Sequence, residues 1–209
     1  MKNKDNEIPD CKVTLIGDSG VGKSSIIARY ISGIYIKDQM TTSGANYSQK
    51  IYEKKGKKVR LNIWDTAGQE KFRALGRNFY TDSYIICMVF DVSKKESFKN
   101  IKEIWYPEIL QYGEKYKILS VVGNKSDIYE ESEIMLEDIK SYVDEIGAKF
   151  FLISAESGEG IDEMFKTLAN LYLNPDFEDK INASFRSRSK ASSICLKNDK
   201  YQKKKVSCC

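Results

Sequence analysis

The chain has 209 residues, of which 41% are hydrophobic, a composition that fits one globular domain and excludes an intrinsically disordered protein. No run approaches the ~18 consecutive apolar residues of a membrane-spanning helix. Residues 1–9 lack the apolar stretch of a secretory leader, so we expect a flexible N-terminus on a cytosolic protein. There is no histidine, which removes the commonest general base and metal ligand.

The formal charge of +4 is unevenly distributed. Residues 174–209 hold nine Lys or Arg and four Asp or Glu, whereas the rest of the chain carries a net charge of −1. A nearly neutral body argues against a nucleic-acid-binding domain. Because Ser, Lys, Arg and Asn dominate residues 174–209, we expect this segment to be a flexible basic tail.

Apolar runs of strand length alternate with helical patterns along the body of the chain. A strand is predicted at 12–16, followed by a glycine-rich loop and by a helix at 25–32. After the polar segment 36–44, apolar and polar residues alternate at 47–54 and 59–64. This alternation predicts a strand–turn–strand hairpin.

The second half of the body continues this alternation. Residues 84–90 are nearly all apolar, as in a central strand covered on both faces. The order of elements predicts an α/β fold at 10–173, with a mostly parallel sheet of six strands and helices on both faces. The remaining strands are predicted at 118–122 and 150–153, and the remaining helices at 72–81, 98–112, 136–146 and 161–173.

Residues 17–24, with the sequence GDSGVGKS, fit the phosphate-binding pattern G-x-x-x-x-G-K-[ST] between a predicted strand and a predicted helix. Glycines let backbone N–H groups approach phosphate oxygens, and the helix N-terminus adds partial positive charge. Lys23 would reach the β- and γ-phosphates, and Ser24 would ligate Mg²⁺. The competing interpretation is a glycine-rich turn with a chance lysine. The predicted phosphate contacts are Ser19, Gly20, Val21, Gly22, Lys23, Ser24 and Ser25.

The segment 124–127, NKSD, follows the predicted strand 118–122, at the edge where such sheets bind ligands. A carboxylate only accepts hydrogen bonds, so Asp127 would receive the ring N–H and the exocyclic amine of guanine. Adenine has no N–H at that ring position and would leave the carboxylate unsatisfied. Such tetrapeptides also occur in exposed turns, but this position favours guanine binding through Asn124, Lys125 and Asp127.

The segment 65–70, DTAGQE, follows the predicted strand 59–64. Asp65 would hold Mg²⁺ through a water molecule, the Gly68 N–H would approach the γ-phosphate, and Gln69 would orient the attacking water. Taken alone, Asp65 could equally be a turn residue at a strand end.

Together these three motifs resemble those of the Ras superfamily of small GTPases, over residues 10–173. The resemblance implies a P-loop NTPase G domain that binds GTP or GDP with Mg²⁺. It also implies slow hydrolysis of GTP, with Lys23 and Gln69 as the catalytic residues. Thr42 would be a metal ligand beside Ser24 and Asp65. The further contacts with the nucleotide that the resemblance implies are Tyr35, Thr42, Ser154, Ala155 and Glu156.

Two of these positions leave alternatives open. Tyr35 could be an ordinary exposed or core tyrosine instead of packing over guanine. Position 156 is usually lysine in the family, with an aliphatic stem beside the base. Glu156 therefore predicts weaker binding or faster release of the nucleotide.

Within the superfamily the chain resembles the Rab family. Cys208 and Cys209 follow the basic cluster 203–205, and a cysteine pair of this kind is a typical Rab substrate for geranylgeranylation. Two lipid chains anchor a protein stably, and lysines attract anionic headgroups. The alternative is two incidental exposed cysteines. Tyr47, Trp64 and Phe79 match aromatic residues that Rabs present to effectors, although core packing would also explain them.

The Rab resemblance implies a GTP/GDP switch in vesicle trafficking. Its partners would be an exchange factor, a GTPase-activating protein that supplies an arginine, a dissociation inhibitor, a prenylation escort and effectors. The resemblance also implies a monomer on the cytoplasmic face of an endomembrane, and segments 80–83 and 147–150 are most like the endocytic branch. Ser43 and Asn46 are more polar than is usual in Rabs, which leaves the choice of effector open. Cys11, Cys87 and Cys195 are expected to be free thiols.

Two rival functions remain. A P-loop kinase acting on a small molecule would need a lid and an acceptor pocket, for which the loops of this chain are short. A GTP-binding membrane module with little or no hydrolysis would most simply have lost Gln69, which is present.

Overall fold

The computed structural model describes residues 8–37, 42, 45–66, 82–112, 118–132 and 134–174. The predicted helix at 72–81 and the predicted tail lie outside these residues, apart from Asn174. Within them, six strands form one sheet with the order β2-β3-β1-β4-β5-β6, which confirms the predicted number. The strands are β1 (Asp10–Ile16), β2 (Ala45–Lys54), β3 (Lys57–Thr66), β4 (Ile85–Asp91), β5 (Ile118–Asn124) and β6 (Lys149–Leu152).

The sheet is parallel except at its β2 edge. β2 pairs with β3 in antiparallel register, and all other neighbouring strands are parallel. The β2–β3 connection is a two-residue turn in which Lys55 and Gly56 both have positive φ, at 50° and 76°. Two positive φ values match the twist of a hairpin, so this turn is tighter than the four residues predicted.

The helices leave little of the central strands exposed. Every residue of β4 and β5 is buried, and for β4 this confirms the prediction of a strand covered on both faces. On one side α1 packs against the last helix, where the Tyr30 and Phe165 rings stack with centroids 3.9 Å apart. The helices are α1 (Lys23–Ser32), α2 (Lys95–Asn100), α3 (Tyr106–Tyr112), α4 (Leu136–Ile146) and α5 (Ile161–Leu173).

The helix predicted at 98–112 differs from the structure in two respects. It begins earlier, at Lys95, and it is interrupted by a π-helical turn, Ile101–Trp105, which separates α2 from α3. The N–H of Tyr106 donates to the carbonyl of Ile101, five residues back. Apolar spacing signals a helix but does not distinguish this wider turn from the α-helical one.

The fold places the ends of five strands at one edge. Because β1, β3, β4, β5 and β6 run parallel, the loops that follow their carboxyl ends meet there. No helix in the described part of the chain is long and apolar enough to cross a membrane. Cys11 and Cys87, the cysteines within the described residues, are buried free thiols, as predicted.

Candidate functional site

A cavity of about 400 Å³ lies at this edge of the sheet. Every predicted nucleotide contact within the described residues lines it, apart from Val21 and Ser154, whereas Gly68 falls outside those residues. The sequence motifs did not include four further lining residues, Ile36, Lys37, Thr66 and Ile128. Segments far apart in the sequence therefore converge on one concave site.

Two glycines of the loop 17–24, Gly17 and Gly22, lie too close to neighbouring residues to carry a side chain. A Cβ atom at Gly17 would lie 2.1 Å from the carbonyl oxygen of Val89, and one at Gly22 would lie 2.2 Å from Nδ2 of Asn124. Both glycines have positive φ, at 141° and 94°. Gly22 precedes α1 and gives it no side-chain cap, so the first N–H groups of the helix are left to an anionic ligand.

The ammonium group of Lys23 is held by its own loop. Nζ donates to the carbonyl oxygens of Gly17, at 2.8 Å, and Asp18, at 2.7 Å. Only 5% of Lys23 is exposed. Burial lowers the pKa of Lys23 to about 8, although the nearby carboxylates of Asp65 and Asp18 favour its charged form. An anionic phosphate in the cavity would favour that charged form further.

Three oxygen-bearing side chains meet beside Lys23. The Ser24 hydroxyl donates to Oδ2 of Asp65 at 2.5 Å and lies 2.7 Å from the hydroxyl of Thr42. Asp65 is buried, which raises its pKa despite the Ser24 hydroxyl and the Lys23 ammonium. Its other oxygen, Oδ1, is buried without a hydrogen-bond partner among the described residues. A divalent cation reached directly or through water would satisfy this oxygen.

This donor set fits Mg²⁺, which prefers hard oxygen ligands and commonly uses one or two carboxylates together with substrate phosphates. No three Asp, Glu, Cys or His side chains come together within the described residues. A cation here would therefore depend on the hydroxyls and on phosphate oxygens as well as on Asp65.

Asn124 connects the phosphate loop to the segment 154–156. Its Nδ2 donates to the carbonyl of Val21 at 2.8 Å, and its Oδ1 accepts from the N–H of Ala155 at 3.0 Å. Only 1% of Asn124 is exposed. Sequence reasoning assigned Asn124 to guanine binding and Ala155 to the nucleotide contacts, whereas in the structure the Asn124 side chain and the Ala155 N–H have protein partners. Their bonds position the loops around the cavity.

Asp127 lines the same cavity and is exposed. One of its carboxylate oxygens, Oδ1, accepts a hydrogen bond from the hydroxyl of Ser154. This bond explains why Ser154 belongs to the site without lining it. A carboxylate fixed in this way presents acceptor atoms only, which is the chemistry expected of a guanine site.

Lys125 is anchored by a residue that sequence reasoning missed. Its Nζ lies 2.6 Å from Oδ2 of Asp91, the last residue of β4, which is fully buried. Burial disfavours the charged form of Asp91. Bonds from Lys125 and Ser93 outweigh that effect and hold the pKa of Asp91 below its usual value. The only sequence signal for Asp91 was a carboxylate at the end of an apolar strand.

Arg29, in the last turn of α1, is a second residue that sequence reasoning missed. Its guanidinium donates to the carbonyl oxygens of Ala155, at 2.9 Å, and Glu156. It also donates to that of Gly33, at 2.8 Å. The same group lies 5.9 Å from the centroid of the Tyr35 ring. Arg29 therefore joins the end of α1 to two segments beside the cavity, 33–35 and 155–156.

The aromatic residues predicted as an effector surface lie partly within the described residues. Tyr47 and Trp64 are directly opposite each other on β2 and β3, with ring centroids 5.2 Å apart. Tyr47 is 47% exposed, so it is a surface residue and not part of the core. Asn46 is also exposed, whereas Ser43 and Phe79 lie outside the described residues.

Comparison with known proteins relates this chain to one family. The model of the Ras family matches residues 12–174. The Ras-related protein RABD2a of Arabidopsis thaliana is 39% identical over 76% of this chain and 77% of its own length. The GTP-binding protein ypt2 of Schizosaccharomyces pombe is 36% identical over 95% of both chains. The Ras-related protein Rab-19 of Rattus norvegicus is 35% identical over 76% of this chain and 73% of its own length.

Proposed function

The chain belongs to the Ras family, with Rab and Ypt proteins among its relatives, and we propose that it binds GTP and GDP in the cavity at the carboxyl edge of its sheet. It is a Rab-like small GTPase, a switch in vesicle trafficking that hydrolyses GTP. The observation that supports this location most strongly is that Lys23 and Asp127 line one cavity, while Asp65 accepts a hydrogen bond from Ser24, which also lines it.

We assign the phosphates to the Lys23 end of the cavity and guanine to the Asp127 end. Ser24, Thr42 and Asp65 would hold Mg²⁺, which when bound offsets negative charge on the phosphates. Lys23 adds a second positive charge held by the loop carbonyls. Gln69, outside the described residues, is proposed to orient the attacking water. Since no arginine lines the described cavity, we propose that an activating partner supplies one.

The attachment to membranes is a second part of the proposal. Cys208 and Cys209, beside the basic cluster 203–205, are the proposed lipidation sites. Tyr47 and Trp64, with Phe79, are the proposed effector contacts. The regulators expected of this family are an exchange factor, an activating protein and a dissociation inhibitor. The proposed location is the cytoplasmic face of an endomembrane, with endosomes suggested by segments 80–83 and 147–150.

Membership of the Ras family favours hydrolysis over the alternative of a membrane module that only holds GTP. The direct test measures the binding of fluorescent GDP with Mg²⁺, in competition with GTP and ATP, and then single-turnover hydrolysis of trace GTP. We expect competition by GTP but not by ATP, and slow release of phosphate to water. Competition by ATP would contradict the role of Asp127, and phosphate transfer to a metabolite would favour a kinase.

Variants test the hydrolysis and membrane parts of the proposal separately. We expect Gln69→Leu to lower partner-stimulated hydrolysis strongly and Ser24→Asn to favour the GDP form. Stimulated turnover of Gln69→Leu at the wild-type rate would show that the role given to Gln69 is wrong. In cells, tagged wild type should mark an organelle, whereas the Cys208→Ser/Cys209→Ser variant should be diffuse. Diffuse wild-type protein would remove the membrane part and leave the GTPase.

A further inference from the structure

The carboxylate of Asp18, the second residue of the phosphate loop, is bound by the helical segment after β4, which consists of α2, the π turn and α3. Its Oδ2 accepts from Nδ2 of Asn100 at 2.7 Å, and its Oδ1 accepts from Nε1 of Trp105 at 2.8 Å. The backbone carbonyl of Asp18 accepts from Nζ of Lys23 at 2.7 Å. One residue therefore joins this helical segment to the lysine of the phosphate loop.

The π-helical turn explains how two residues of one helix reach a single carboxylate. Asn100 and Trp105 are five positions apart, and in an uninterrupted α-helix they would be separated by about 140° around the axis. A π turn closes its hydrogen bonds between residues five apart, so such residues lie nearly above one another. The turn, Ile101–Trp105, begins directly after Asn100 and ends at Trp105, which is almost fully buried.

The charge of Asp18 makes this arrangement relevant to phosphate binding. A carboxylate in a loop that surrounds a polyanion repels it unless hydrogen-bond donors stabilise the carboxylate charge and hold it away from the polyanion. Two N–H donors on the helical segment do this for Asp18. They also fix the backbone carbonyl on which the Lys23 ammonium depends.

We propose that Asp18, Asn100 and Trp105 are positioning residues that fix the phosphate loop on the helix after β4, and that the π turn brings the two donors to the same carboxylate. The proposal rests on the proposed function, because it takes the cavity to be the nucleotide site. It predicts that the rate of GDP release depends on hydrogen bonds outside that cavity, since neither Asn100 nor Trp105 lines it.

Exchanging the two partners of one bond gives the sharpest test. Asn100→Asp sets two carboxylates against each other, and we expect GDP release from the Mg²⁺–GDP-loaded full chain to become roughly tenfold faster or more. Asp18→Asn keeps one acceptor and loses one bond, with a smaller increase of roughly threefold. In the double variant, the amide now at position 18 donates to the carboxylate now at position 100 and still accepts from Trp105. Release should then return to within about twofold of wild type.

Controls separate positioning from general stability. Ile109→Val removes a buried methylene from α3 without touching these bonds, and it should lower the melting temperature while leaving GDP release unchanged. If Asn100→Asp does not fold, Trp105→Phe replaces it in a cycle with Asp18→Ala, which removes both acceptor oxygens. A real bond then makes the double variant no faster than the faster single variant, and additive effects overturn the proposal.

The remaining outcomes are decisive as well. Recovery in the exchanged pair supports the proposal, because a defect that did not depend on this bond would not be repaired by a second substitution. Wild-type release in Asn100→Asp, or no recovery in the exchanged pair, overturns it. Failure of wild type itself to bind GDP overturns the proposed function and this inference with it. Normal wild-type binding with unaffected variants overturns this inference alone.

Discussion

Replacing Arg29 by alanine tests whether positioning of the loop that flanks the base controls retention of the nucleotide. The change removes the donors to the carbonyls of Ala155, Glu156 and Gly33. It deletes no side chain that lines the cavity, because Arg29 is not among the lining residues. We therefore expect faster release of GDP from a site whose own groups are intact.

The magnitude follows from the exposure of these bonds. A hydrogen bond to a charged group contributes roughly 1.5–3 kcal/mol when it is shielded from water. The bond to Ala155 is partly buried, whereas those to Glu156 and Gly33 are exposed and contribute much less. A total of about 1.5 kcal/mol corresponds to roughly tenfold faster release, since each 1.4 kcal/mol is a factor of ten.

The assay compares the release of labelled GDP with single-turnover hydrolysis of GTP in wild type, Arg29→Ala and Arg29→Lys. Lysine keeps the charge but lacks the planar group that reaches three carbonyls, so its release rate should be intermediate. The hydrolysis rate of bound GTP should not change, because the hydrogen bonds of Arg29 lead to residues 33, 155 and 156 and not to the Ser24–Asp65 cluster. Unchanged release, or hydrolysis that falls in parallel, would refute this reasoning.

Three further predictions concern single residues of the same site. Gly22→Ala should abolish GDP binding, because its Cβ would lie 2.2 Å from the Asn124 side chain. Gly20→Ala is the control: Gly20 also has a positive φ, but a Cβ there would meet nothing within 4 Å, so this variant should bind GDP measurably better than Gly22→Ala. Lys125→Met should lower the free energy of unfolding by about 2 kcal/mol at pH 7, because it leaves buried Asp91 without its cation. The pKa of Asp91 in the wild type is lowered, so its ion pair stabilises the fold fully above the usual aspartate pKa. The difference in unfolding free energy between wild type and variant should shrink as the pH falls through the lowered pKa of Asp91. Urea unfolding at several pH values measures this difference. Glu156→Lys should slow GDP release, and release no slower than wild type would contradict the role assigned to position 156.

The sheet and the edge at which ligands bind were predictable because their signals are local. Apolar runs of strand length, and glycines where the chain passes close to other backbone, are visible in short windows of sequence. Gly17 illustrates this, since its neighbour in space is the backbone of Val89, yet the glycine itself marks the position. The motifs at 17–24 and 124–127, together with the positions implied by the family resemblance, accordingly predicted most of the described cavity lining.

The residues that sequence reasoning missed act through partners that are distant in the chain. Arg29 resembles any basic residue near a helix C-terminus, a common and favourable placement. Its bonds to residues 155 and 156 exist only after β6 and α1 have been brought together by the sheet. The π turn was equally invisible, because apolar spacing does not reveal hydrogen bonds between residues five apart.

The geometry separates retention of the nucleotide from selection of the base. Asp127 presents acceptors to the base, but its own position depends on Ser154, and the backbone beside Ser154 is held by Asn124 and Arg29. Loss of one of these holding bonds lets the loop move without changing which atoms face the base. Such variants should therefore release GDP faster while still preferring guanine over adenine. Only a change at Asp127 itself removes the acceptor pair on which that preference depends.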